Sequence, residues 1–122
     1  MNVTKIALFE GKKVRKVLKD SKWWFSVVDV VAVLTDSPNP RKYWHKMKLR
    51  EEAEAKIQLS PFWRRLKLQS SDGKFYNTAC ANTENLLRII QSIPSPKAEP
   101  FKLWLAKVGY DRIKEIEDPE KP

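Results

Sequence analysis

Apolar and polar residues alternate along the first 25 positions in the pattern expected of β-strands. Strands are predicted over 5–11, 14–18 and 23–27. The first ends at Gly11, and in the second the side chain of Arg15 is expected on the solvent side. These segments predict a small antiparallel meander, whose inward-facing residues include Phe9, Val14 and Trp24.

The run SVVDVVAVL (26–34) fits either a strand or a helix. Its valines favour a strand, but Ser26 followed three residues later by Asp29 resembles a helix-capping box. A helix from Val27 to about Leu34 would be apolar on all sides except at Asp29, which is typical of a buried helix. The prolines of TDSPNP would end it. We predict a helix here.

The next segment, SPNPRKYWHKMKLR (37–50), predicts a second helix with one apolar side and one cationic side. Ser37 or Asn39 can cap it, and Pro40 suits its first position. Tyr43, Trp44 and Met47 fall within an arc of about 100°. The opposite arc carries Arg41, Lys42, His45, Lys46 and Lys48. The order helix, short turn, helix is that of helix-turn-helix modules, although a solvated helix surface shows the same cationic pattern.

A hairpin is predicted further along, in LKLQSSDGKFYNT, with its turn at Asp72-Gly73. Its core candidates are Leu66, Leu68 and Phe75, and its solvent face carries Lys67 and Lys74.

The segment EEAEAKIQ (51–58), which precedes this hairpin, either continues the helix before it or frays. Aromatic residues beside basic ones, here Phe62, Trp63, Arg64 and Arg65, stack bases in some single-stranded nucleic-acid binders. We favour the alternative that these aromatics anchor the core.

The C-terminal third predicts helices with few cations, which suits a scaffold. Asn82 caps a helix over 83–93, and Ser95 caps another that ends at Gly109. YDRIKEIEDP then predicts a short acidic helix. The complete pattern indicates an α+β fold: a single domain, 1–122, with a small antiparallel sheet and about four to five helices.

Composition narrows the class of protein. The chain has 122 residues, 42% of them hydrophobic, with one cysteine and one histidine. A disulfide within the chain is excluded, and so is a zinc site built from those two residue types. No apolar run of membrane-spanning length and no signal peptide is present, so we expect a soluble, cytoplasmic protein without membrane contact. Without a second histidine or a phosphate-binding loop, we expect neither an enzyme nor a cofactor.

The net charge of +9 is concentrated in the first half of the chain. Residues 1–50 contain twelve Lys or Arg against four Asp or Glu, whereas residues 110–122 contain three against five. An excess of this kind indicates a polyanionic partner contacted from the first half. Solubility alone also explains a basic domain.

Several motifs together give the chain a family resemblance. They are WWFSVVDVVAVLTDSPNPRKYWHKMKLR, LKLQSSDGKFYNT, NTENLLRIIQSIPSPKAEPFKLWLAKVGYDRI and IEDPE. Over about residues 5 to 120 the sequence resembles the N-terminal domain of the BRO family. That domain occurs in prophage antirepressors, in proteins of large DNA viruses and in bacterial damage-inducible proteins. The resemblance implies an α+β fold and DNA binding, and relatives commonly continue beyond IEDPE into a separate domain.

Two functions follow as expectations. The first is duplex DNA binding in transcriptional regulation, through the helix over about 40–50 and neighbouring cations. The candidate contacts are Arg41, Lys42, His45, Lys46, Lys48, Arg50, Arg64, Arg65, Lys67 and Lys74. The second, implied by the antirepressor role, is binding and inactivation of a repressor protein. A homodimer is a third association that we consider, and single-stranded DNA or RNA remain alternatives to duplex DNA.

Overall fold

The computed structural model describes residues 3–55 and 63–117, without the side chains of residues 51, 52, 54, 55 and 109–117. Within these residues the strands are β1 (Lys5–Phe9), β2 (Lys12–Lys19), β3 (Lys22–Ser26), β4 (Arg64–Gln69) and β5 (Phe75–Asn82). The helices are α1 (Val27–Thr35), α2 (Pro40–Ala55), α3 (Thr83–Gln91) and α4 (Ala98–Glu117). The strands form one antiparallel sheet in the order β1-β2-β3-β5-β4. This confirms the α+β fold.

Helices cover one face of the sheet and enclose the main core. Val14 and Phe25 of the sheet lie in this core with Phe101 and Leu105 of α4, all fully buried. The valine-rich run does form a helix rather than a strand, because the Ser26 hydroxyl accepts a hydrogen bond from the Asp29 N–H and starts the first turn. α1 is buried on most of its surface, as predicted.

The second face of the sheet encloses a smaller core, to which the described residues contribute strand side chains. Its buried members come from four strands: Val17, Trp24, Leu66, Leu68 and Cys80. The Gln69 N–H, at the end of β4, donates to the Thr4 hydroxyl, just before β1, at 3.0 Å. Since β1 and β4 are the two edge strands, this contact shows that the sheet is strongly curled. Trp24 is buried as expected, but in this second core.

Two expectations about the fold are wrong. Phe75 is 50% exposed, because the observed register places Leu66 and Leu68 opposite Thr78 and Tyr76. Phe75 therefore points to the other face of the hairpin. α4 does not end at Gly109 but continues to Glu117 and includes the predicted acidic helix. One glycine costs a helix only about 1 kcal/mol, which the flanking helix-forming residues tolerate.

The remaining boundaries agree with the sequence more closely. α2 continues through EEAEA to Ala55. Asn82 caps α3, since its side chain accepts a hydrogen bond from the Asn85 N–H at 2.9 Å. The predicted core residue Phe62 lies outside the described residues. No helix in the described ranges has the length and apolar character needed to cross a membrane.

Candidate nucleic-acid interface

The second helix of the predicted pair is fixed at its start by a polar cap. The Asn39 side chain accepts a hydrogen bond from the Lys42 N–H at 3.1 Å, so Asn39 rather than Ser37 is the cap. Before it, Asp36 has a left-handed backbone (φ 54°) and its N–H donates to the Ala32 carbonyl, which closes α1. α1 and α2 contact each other across this turn. The predicted helix, turn, helix order is confirmed.

The apolar side of α2 is the predicted one. Trp44 and Met47 are buried, and Tyr43 is half-buried against the main core. The side chains of Arg41, Lys42, His45, Lys46 and Arg50 are exposed, whereas Lys48 is half-buried. Packing of the aromatic side therefore holds the cationic side toward solvent.

The cations of α2 belong to two flanks. Arg41, His45 and Lys48 are spaced four and three residues apart, so they share one side of the helix. All three line a cleft of about 640 Å³ between α2 and the β4–β5 hairpin. The second flank carries Lys42, Lys46 and Arg50, again spaced four residues apart, and none of the three lines the cleft.

Trp63, just before β4, organises the cations of the cleft. The Lys48 ammonium lies 4.6 Å from the centre of its ring, and the Arg65 guanidinium carbon lies 5.7 Å away. Trp44 packs edge-on against the same ring, with 5.9 Å between ring centres. Because the ring attracts cations, both are held close to it although their charges repel. The buried indole N–H of Trp63 has no hydrogen-bond partner among the described residues.

Acidic side chains are few in the cleft. Among its described lining residues there is one, Asp72. Its carboxylate accepts hydrogen bonds from the Tyr76 hydroxyl at 2.6 Å and from the Lys74 N–H at 2.8 Å, and these bonds lower the pKa of Asp72. Arg41 and Arg65 form no ion pair with any residue that the structure describes. The cleft therefore has an excess of positive charge.

Arg15 also reaches the cleft, but its charge is neutralised. Its guanidinium donates to both carboxylate oxygens of Asp29, at 2.8 and 3.0 Å, and its backbone N–H donates to the same group at 2.9 Å. The hydrogen bond with Asp29 raises the pKa of Arg15. The expectation that Arg15 faces solvent is wrong, since its side chain is only 21% exposed. The reason is the ion pair with Asp29, which holds the guanidinium against α1.

The candidate contacts on the hairpin are divided between the two faces of the sheet. Arg65 lines the cleft with Asn77 and Ala79. Arg64 faces the other way and stacks on Trp24, with 4.5 Å from its guanidinium carbon to the ring centre. Lys67 and Lys74 are exposed outside the lining of the cleft. The structure thus brings together Arg41, His45, Lys48 and Arg65, and separates Arg64 from them.

The charge excess of residues 1–50 is only partly located on α2. Seven of its twelve cations lie on or beside β1, β2 and β3. Among these, Lys12 pairs with Asp36 at 2.6 Å, and Lys16 is buried with its ammonium 4.1 Å from the centre of the Trp23 ring. Total charge therefore overstates the number of cations available to a partner at α2.

The fold and the cleft define a single-sheet α+β domain with a helix-turn-helix-like pair and a basic cleft. In the described ranges, no three His, Cys, Asp or Glu side chains are grouped to hold a metal ion. The sequence matches the family model described as BRO family, N-terminal domain, over residues 13–110. The match spans most of the chain, so the protein belongs to the BRO family. Comparison with curated proteins and with solved structures gives no match.

Proposed function

We propose that this domain binds duplex DNA through α2 and the adjoining cleft, without catalysis, and acts in transcriptional regulation like antirepressor-type BRO proteins. The observation that carries the proposal is the group of cations around Trp63. Lys48 and Arg65 are held 4.6 and 5.7 Å from one ring, and Arg41 lies on the same flank of α2 as Lys48. Such a group favours a phosphate ligand, which would relieve the repulsion between the cations.

The roles of the individual cations follow from their positions. Lys48 and Arg65 are partly immobilised by Trp63, so less side-chain entropy is lost when they bind phosphates. Arg41 lies in the first turn of α2, the part of a recognition helix that commonly reaches base edges. Lys42 and Lys46, on the outer flank, are placed to contact the phosphate backbone, which gives affinity without sequence information.

The second function, binding of a repressor protein, predicts an exposed apolar patch on the C-terminal half. In the described C-terminal half, the exposed large apolar residues are Phe75 (50%), Tyr76 (47%) and Leu103 (76%). Adjacent strand residues face opposite sides of a sheet, so Phe75 and Tyr76 do not add to one patch, and single exposed apolar side chains are ordinary on a protein surface. The cleft therefore gives DNA binding the stronger support.

The test is an anisotropy titration of a labelled random-sequence duplex at several salt concentrations. If about five cations meet phosphates, the logarithm of affinity falls against the logarithm of salt with a slope of about −4 to −5. Replacing Arg41, Lys48 and Arg65 with Gln should remove most of the affinity and flatten the slope by about 1 per cation. Unlabelled single-stranded DNA of equal length should compete weakly.

The matched control replaces Lys13, Lys22 and Lys107, which are exposed and do not line the cleft, with Gln. This variant has the same net charge as the cleft variant, so a general loss of charge would weaken both equally. Equal losses would therefore contradict a specific role for the cleft. Wild-type affinity that does not change with salt would contradict the phosphate contacts, and the repressor-binding function would then be preferred.

A further inference from the structure

We infer that β1 is a self-association edge, at which two copies of this chain pair antiparallel about Ala7 to form a dimer. The inference uses residues outside the cleft and does not depend on the proposed function. β1 lies at one end of the sheet order and has β2 as its strand partner. Its other edge therefore presents backbone N–H and C=O groups without a strand partner in the described part of the chain. Next to its start, the end of β4 approaches through the Gln69 N–H bond to the Thr4 hydroxyl, so the edge offered for pairing is that of Lys5–Phe9.

The side chains of this edge are unusually apolar. Ile6 and Leu8 are 54% and 58% exposed, and Val3, just before the strand, is 57% exposed. Exposed edge strands are commonly protected by charged residues, prolines or bulges. β1 contains one charged residue, Lys5, and no proline. An apolar, unprotected edge of this kind is suited to pairing with another strand.

The sequence of β1 is complementary to itself when the second copy runs antiparallel. With Ala7 opposite its own counterpart, Ile6 lies opposite Leu8 of the second copy, and Leu8 opposite Ile6. Lys5 lies opposite Phe9, so no like charges face each other. Two-fold symmetry makes each contact occur twice, which is how homodimer interfaces are built. Cross-strand apolar pairs of this kind stabilise a sheet.

Charge complementarity selects the same arrangement. Lys5 opens β1, and the exposed Glu10 directly follows its last residue. Antiparallel pairing brings Lys5 of each copy to the end of the strand where Glu10 of the other lies. Parallel pairing in register would instead place the two Lys5 side chains together. The occupant that fits this edge is therefore a second copy in the antiparallel direction.

The association should be weak and reversible. A pair of five-residue strands is smaller than the standard stable interface of about 1,600 Å². We therefore expect monomers and dimers in exchange at micromolar to millimolar protein concentrations, measurable by sedimentation equilibrium without DNA.

The experiment uses a charge swap at the two facing positions. One variant carries Ile6→Lys and Leu8→Lys, and the other carries Ile6→Glu and Leu8→Glu. Each variant alone places like charges opposite each other and should remain monomeric over the range in which wild type dimerises. An equimolar mixture should dimerise again, because position 6 of one variant then faces the opposite charge at position 8 of the other. Recovery in the mixture also shows that both variants are folded.

The control is Leu49→Lys on α2, where the leucine is similarly exposed at 52%. This variant should dimerise like wild type. A wild-type protein that stays monomeric at all concentrations would overturn the inference. So would a mixture that stays monomeric, or wild-type assemblies that grow beyond two copies, since the two-fold contact closes on itself.

Discussion

Asp29 contacts two elements at once, and its position explains why the Arg15 side chain is only 21% exposed. Its backbone N–H donates to the Ser26 hydroxyl, which starts α1, while its carboxylate receives the guanidinium and backbone N–H of Arg15 from β2. The S-x-x-D signal therefore marks the helix start correctly. The carboxylate binds the neighbouring strand instead of returning to the cap, which ties α1 to the sheet.

Also at the scale of single residues, the burial of Cys80 predicts how its thiol reacts. The thiol is fully buried in the second core, and burial raises its pKa to about 12. Because the thiolate is the reactive form, we expect the native protein to react very slowly with a disulfide reagent at pH 8. In the unfolded chain this thiol has an ordinary pKa of about 8.5 and should react rapidly.

The difference between the folded and unfolded pKa of Cys80 also sets the direction of a pH effect on stability. Above pH of about 8.5 the unfolded chain releases the thiol proton first, so the free energy of unfolding falls as pH rises toward the folded pKa. The Cys80→Ala variant should lack this contribution, which denaturant titrations at pH 8 and 10 can compare. Rapid labelling of the native protein would contradict the buried position of Cys80.

At the scale of elements, α2 is held by its aromatic side. Trp44 is 5% exposed and packs edge-on against Trp63, which positions the cations of the cleft. Trp44→Ala should lower the free energy of unfolding by about 3–5 kcal/mol, measured by denaturant titration. Leu49→Ala, on the exposed side of α2, should change it by less than about 0.5 kcal/mol. An unchanged stability in the Trp44 variant would mean that the ring does not anchor the helix.

Local signals in the sequence were sufficient for the starts of the helices. Asn39 and Asn82 act through hydrogen bonds to N–H groups three residues later, which is a local pattern. The end of α4 was not predictable from Gly109, because a glycine inside a helix and one that terminates it look alike in sequence. The face occupied by Phe75 depends on the register of the β4–β5 hairpin. A two-residue turn at Asp72-Gly73 would pair Gln69 with Tyr76, whereas the longer loop that is observed pairs Gln69 with Phe75 and so turns Phe75 to the other face.

For the cleft as well, features set by local sequence were predictable and contacts between separate elements were not. The cationic arc of α2 follows from helical periodicity and was predictable. Lys48 and Arg65 contact the same Trp63 ring because the β4–β5 hairpin lies beside α2. Helical periodicity does not predict this placement of the hairpin. Alternation along β4 could have separated Arg64 from Arg65, since adjacent strand residues face opposite sides. No local signal indicated that Asp29 neutralises Arg15.

At the scale of the whole molecule, the two proposed contacts use different elements. The cleft is formed by α2 with the β4–β5 hairpin, whereas the proposed dimer contact uses β1. Arg15 of β2 lines the cleft and pairs with Ile6 of β1, so the two proposed contacts lie close together, and titrating DNA into the dimer would test whether both form at once. A dimer of this kind would bind two half-sites on DNA, as two-fold symmetric regulators do.

The central claim, that DNA occupies the cleft, is tested most directly by nuclear magnetic resonance. The chain has five tryptophans, so its indole N–H groups give a small set of assignable signals. During titration with duplex DNA, the signals of Trp44 and Trp63, which line the cleft, should shift along one binding curve. Those of Trp23 and Trp104, which lie outside its lining, should stay in place. A shift of Trp104 with Trp63 unchanged would contradict the account.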